Sequence, residues 1–103
     1  MSFKQRTHDC GILRAGDAGA HIVLNGWAHR VRDLGGLFFV DLRDRSGLVQ
    51  LYFDPQKFGN LNDIKSETCL SVCGVVQERA QETKNPSLAT GDVEIQVDTF
   101  DIL

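Results

Sequence analysis

LFFVDLRDRSGLVQLYF, residues 37–53, is two β-like runs with a short polar stretch between them. LFFVDLR and GLVQLYF are rich in β-branched and aromatic residues, and Asp44, Arg45, Ser46 and Gly47 separate them. A short connection containing Asp and Gly suits an antiparallel hairpin. Side chains alternate across a strand, so each run has two faces. Phe38, Val40 and Leu42 with Val49, Leu51 and Phe53 make one wholly apolar face, which must be core. The opposite face carries Phe39, Asp41 and Arg43 with Leu48, Gln50 and Tyr52. A loop centred between Arg45 and Ser46 pairs Arg43 with Leu48, Asp41 with Gln50, and Phe39 with Tyr52.

Three more runs of the same character flank this hairpin: 21–31 before it, and 69–79 and 92–100 after it. Between the third and fourth runs, Phe58, Leu61 and Ile64 recur at three-residue spacing after Pro55, which predicts a short helix. Gly59 and two asparagines weaken its helical propensity. Gly26 and Gly74 fall inside long runs, where a small barrel must bend or bulge its strands. Five strands with a short helix between strands three and four is the order of an all-β, five-stranded Greek-key OB-fold barrel. Another small barrel or sandwich is the alternative that periodicity leaves open.

The chain's 103 residues suffice for one domain with a core and are too few for two. No apolar run approaches the roughly 20 residues of a membrane helix. The start, MSFKQRTHDCGIL, lacks a long apolar segment and a small-residue cleavage site, which predicts a cytoplasmic protein without a membrane partner. Three cysteines, Cys10, Cys69 and Cys73, make no disulfide framework and no zinc spacing. They are read as buried or half-buried free thiols. His8, His21 and His29 are scattered, and Asp41 and Asp44 read as hairpin and turn residues. No catalytic grouping, phosphate loop or metal cluster stands out.

Net charge is −3, which announces no nucleic-acid partner. Its distribution is uneven: residues 1–60 hold eight Lys/Arg against six Asp/Glu, and residues 61–103 hold three against eight. A mild positive bias sits around Arg30, Arg32, Arg43 and Arg45, which taken alone reads as a solvated face more often than as a binding site. Aromatic rings beside an amide and charges suit base recognition, since every base offers a π-face to stack on and an edge to pair with. Arginine meets phosphate or a base edge through two parallel N–H groups. The competing reading is that Phe39 and Tyr52 only pack beneath a loop.

LNGWAHRVRDLGGLFFVDLRDRSGLVQLYFDP, residues 24–55, closely resembles the opening domain of bacterial-type aspartyl-tRNA synthetases. The shared pattern is G-W, a basic cluster running into R-D-x-G, a β-run ending D-L-R-D-R, and G-x-V-Q. THDCGILR at 7–14 and ATGDVE at 89–94 match it too, so the resemblance spans nearly the whole chain. Val31 departs from it by separating Arg30 from Arg32, and residues 77–88 follow it only loosely. The resemblance implies an OB-fold domain gripping the G-U-C anticodon loop of aspartate tRNA. Phe39 is then the stacking aromatic, and Gln50 the reader of the central uridine with Arg32 beside it. Arg79 and Glu94 attend the outer bases, Glu94 toward the guanine, and Arg30 and Asn85 are additional contacts. The resemblance also implies that residues 1–103 are a fragment of a class II ligase, a homodimer whose separate catalytic domain uses ATP and Mg²⁺. No catalytic residue or cofactor is assigned to the fragment itself. The alternatives are a free-standing single-strand-binding OB protein, which the acidic second half disfavours, and the equivalent domain of a lysyl or asparaginyl synthetase.

Overall fold

The computed structural model describes residues 5–103. The reading of the amino terminus as lacking a leader rests partly on residues 1–4, outside the described residues. Five strands form a closed barrel: β1 His21–Asp33, β2 Phe38–Asp44, β3 Gly47–Phe53, β4 Cys69–Glu78 and β5 Val93–Ile102. They close in the order β1-β2-β3-β5-β4. All pairings are antiparallel except β3 with β5. Closure leaves no long free edge in the barrel. Among the described residues no helix is long and apolar enough to cross a membrane.

The hairpin register is the one its alternation dictates. Phe39 faces Tyr52, Asp41 faces Gln50, Arg43 faces Leu48, and Asp44 faces Gly47 around the Arg45–Ser46 turn. Gly47, at φ 144°, is in a conformation that favours glycine. All six residues of the apolar hairpin face are buried. With Leu24, Leu70, Val72, Val93 and Ile95 they fill the barrel. A Cβ at Gly74 would collide with the Gln96 carbonyl, and here the β4–β5 register shifts between Cys73 and Gly74. The glycine therefore allows the two backbones to approach where the barrel bends.

One barrel end is closed by aromatic packing. Phe53 meets Phe38, Phe58 and Phe100 edge to face, at centroid distances of 5.9, 5.8 and 5.1 Å. The residues read as a short helix supply part of this cap: Leu61 and Ile64 are buried and Phe58 packs against the core. The helix itself is a single 3₁₀ turn, Leu61–Asp63. Gly59 and the asparagines at 60 and 62 raise the cost of a longer one.

At the hairpin's turn end, Asp44 joins that turn to the amino-terminal segment. Its Oδ2 accepts from the Cys10 N–H at 2.8 Å, and its Oδ1 accepts from the Ser46 N–H and hydroxyl at 2.8 and 2.6 Å. The Ser46 Oγ in turn accepts from the Gly11 N–H at 2.7 Å. Burial raises the Asp44 carboxyl pKa, but the hydrogen bonds from Cys10 and Ser46 outweigh it and hold it below the ordinary carboxylate value. Asp44→Ala is expected to cost about 1–2 kcal/mol, the low end of the penalty for stranding a donor, because the carboxylate is partly exposed. A carboxyl lowered in the folded state stabilises at pH above its unfolded value, near 3.9. That contribution is lost as pH falls through the folded value. Melts from pH 7 down to pH 3 should therefore show the gap between wild type and Asp44→Ala closing at the acid end.

The three cysteines are free, but one differs from expectation: Cys10 is buried and Cys73 half-buried, whereas Cys69 is exposed. Cys69 is the first residue of β4, on the side that alternation turns away from buried Leu70.

Candidate nucleic-acid interface

The outer face of β1, β2, β3 and β5 carries two adjacent cross-strand rows. In the first, Arg30, Asp41, Gln50 and Glu94 occupy paired register positions. In the second, Arg32, Phe39, Tyr52 and Gln96 do so. The rows align because β1 shifts register between Ala28 and Arg30. That bulge turns Arg30 and Arg32 outward while Ala28, before it, is buried. On β5, Val93, Ile95 and Val97 are buried, which leaves Glu94 and Gln96 on the outside.

Hydrogen bonds chain these side chains together. The Arg32 Nη2 donates to the Asp41 Oδ1 at 3.1 Å and to the Gln50 Oε1 at 2.8 Å. The Gln50 Nε2 donates to the Glu94 Oε1 at 3.1 Å, and the Gln96 Nε2 donates to the Glu94 Oε2 at 3.2 Å. The Gln50 amide is oriented by its surroundings, since its oxygen must face the guanidinium and its nitrogen the carboxylate. Each end of that amide keeps one unused group, an N–H and a lone pair. Gln50 is buried at 7% exposure, and a donor and an acceptor on one amide suit a base edge. The Arg32 Nε is buried without a hydrogen-bond partner, a donor in reserve within the same cluster.

Beside the chain stand two rings. Phe39 and Tyr52 are 5.5 Å apart and tilted by 49°, and both are half-buried. The Arg32 guanidinium lies 5.7 Å from the Phe39 centroid, within cation–π range.

The remaining predicted residues are placed differently. Arg79 is buried, with its Nε donating to the Val93 carbonyl at 2.9 Å and its Nη1 to the Thr83 carbonyl at 3.1 Å. Burial lowers its pKa, opposed by the charges of Glu94 and Asp41. Asn85 structures its own loop: its N–H donates to the Gly91 carbonyl, and its Oδ1 accepts from the Ser87 N–H at 3.0 Å. Arg30 is exposed. Two members of the cluster do not stand out in the sequence. Asp41 reads there only as a hairpin residue, yet it anchors Arg32; Gln96 falls on the outer side of β5 with no role attached. Their signal lies in the alternation, which puts each on the same face as a predicted site residue.

A closed five-stranded barrel with an aromatic ring pair and a polar, arginine-containing network on its outer wall has the build of the OB class. The chain belongs to the tRNA anti-codon family of OB-fold nucleic acid binding domains, whose model matches residues 22–103. It is 46% identical to the aspartate–tRNA(Asp/Asn) ligase of Moorella thermoacetica over 95% of its own length. It is 45% identical to the aspartate–tRNA ligase of Streptomyces griseus over 97%. The chain spans only 17% of the length of either relative. Among solved structures, an OBody bound to hen egg-white lysozyme superposes with a TM-score of 0.84 at 21% identity, covering 100% of this chain and 97% of that one. At that identity the likeness concerns the fold.

Proposed function

We propose that this chain is the anticodon-binding module of an aspartate–tRNA ligase and holds the G-U-C anticodon loop of aspartate tRNA. The observation that carries this reading is the linked Arg32, Gln50 and Glu94 set beside the Phe39–Tyr52 ring pair. In this reading Phe39 stacks an anticodon base and Gln50 pairs with the central uridine, whose edge needs one donor and one acceptor. Arg32 orients Gln50 and offers a charge near the same base. Glu94, an acceptor-only group, takes N–H donors from the first base, guanine. Arg79 attends the other outer base, and Arg30 and Asn85 are additional contacts.

Residues 1–103 are then one domain of a longer cytoplasmic, homodimeric class II ligase that uses ATP and Mg²⁺ elsewhere in its chain. Among the described residues no group of three or more His, Cys, Asp or Glu could hold a metal ion.

The test compares three RNAs across a salt series: an aspartate anticodon stem-loop, the same loop with its anticodon changed, and an unrelated single strand. The cognate loop should bind tightest, with affinity falling as salt rises because Arg–phosphate contacts release counterions. Equal binding of all three would support a single-strand-binding protein instead. Binding of none would remove the RNA role.

A further inference from the structure

Glu94 and Gln96 are two residues apart on the outer side of β5. The Glu94 carboxylate is held at both oxygens by amide donors from different strands, Oε1 by Gln50 on β3 and Oε2 by Gln96 on β5. Resting on the anticodon reading above, we infer that Gln96 is a positioning residue that locks this carboxylate to accept two N–H groups from one base edge, making it a determinant of guanine.

A glutamate's terminal torsion is broad, so one hydrogen bond leaves the carboxylate free to swing. A second bond on the other oxygen removes that freedom. An ionised carboxylate offers about four acceptor positions. The two amides take one on each oxygen, and one remains on each. Guanine presents two adjacent donors on its pairing edge, N1–H and the exocyclic amino group, and fits that remaining pair. Inosine keeps N1–H alone. Adenine keeps only an amino group there, next to an acceptor nitrogen that a carboxylate repels. The Gln50 amide cannot turn to release Oε1 without setting its nitrogen against the Arg32 guanidinium. Gln96 stands beside Tyr52 in the β3–β5 register and is half-buried, which narrows its own rotamer choice. Its contact with Glu94 links two outer-face side chains and adds nothing to the core.

The test titrates this chain against aspartate anticodon stem-loops carrying guanine, inosine or adenine at the first anticodon position, at one fixed salt concentration. Wild type should prefer guanine to inosine by about tenfold, the scale of one leg of a good two-point base contact. Gln96→Leu should reduce that ratio to below about threefold at an unchanged melting temperature. The ratio is the readout, so a variant that is partly unfolded still reports. The double variant Glu94→Gln/Gln96→Glu retains a donor and an acceptor between the two positions but moves the charge. It should stay unselective, and recovery of the ratio would show a merely structural pair and overturn the inference. A full guanine preference in Gln96→Leu, with Glu94→Gln having lost it, overturns the role of Gln96 and leaves the anticodon reading standing. A full preference in Glu94→Gln removes base reading at Glu94, and the role of Gln96 with it.

Discussion

Phe38→Ala should destabilise the barrel by about 3–5 kcal/mol, the usual cost of truncating a buried phenylalanine. The side chain is 5% exposed, and its ring meets Phe53 edge to face. Phe53 also carries the contacts to Phe58 and Phe100, so a void beside it loosens the whole cap at that barrel end. Phe39→Ala, one residue along, should leave the melt close to wild type. Its ring is on the outer wall with Tyr52 and Arg32 and supports no core residue. Its loss should appear in RNA binding, by about 1–3 kcal/mol for one stacked base. Urea denaturation and stem-loop titration of both variants decide the matter. An unfolded Phe39→Ala beside a stable, weakly binding Phe38→Ala would mean that the two faces of β2 had been exchanged.

That pair of adjacent phenylalanines shows why so much of the fold is legible in the chain. A strand's period is two, and a one-residue slip would place Phe39, Asp41 and Arg43 in the barrel interior. The cost of burying two charges is enough to exclude that register. The same alternation separates Val93, Ile95 and Val97 from Glu94 and Gln96 on β5. The short helix is less legible, because the spacing of Phe58, Leu61 and Ile64 meets both a helical turn and an irregular cap. The requirement to plug the barrel end with apolar side chains is satisfied by either, and Gly59 with its neighbouring asparagines tips the backbone to a single 3₁₀ turn.

The candidate site is legible residue by residue but not as a network. Alternation puts Asp41 and Gln50 on one face, and antiparallel register makes them neighbours. The link from Gln50 to Glu94 depends on β3 lying parallel to β5, 44 residues apart in the chain. Barrel closure brings these strands together, and no local pattern encodes it. The link from Arg32 to Gln50 likewise depends on the β1 bulge, whose position between Ala28 and Arg30 follows from a whole-barrel fit.

Arg79 shows the limit most clearly, and its removal is expected to cost about 3 kcal/mol of stability. Resemblance assigns it to the anticodon, and in the fold two of its N–H groups also donate to the Val93 and Thr83 carbonyls. A hydrogen bond from a charged donor contributes about 1.5–3 kcal/mol, and two in one side chain act together. The Val93 carbonyl immediately precedes Glu94, and Thr83 belongs to the loop that returns the chain from β4 to β5. Arg79 therefore fixes the point at which β5 enters the barrel, and with it the height of Glu94 on the outer wall. Arg79→Lys should recover less than half of the lost stability, because one ammonium on a flexible stem does not reproduce a planar fork directed at two carbonyls. Both variants should bind the cognate stem-loop less well, and the dependence of log affinity on log salt should keep its slope, since two of the Arg79 N–H groups are committed to carbonyls. A slope shallower by about one in Arg79→Ala, with an unchanged melt, would instead place the guanidinium on the RNA backbone. An unchanged melt alone would remove its role as the anchor of β5.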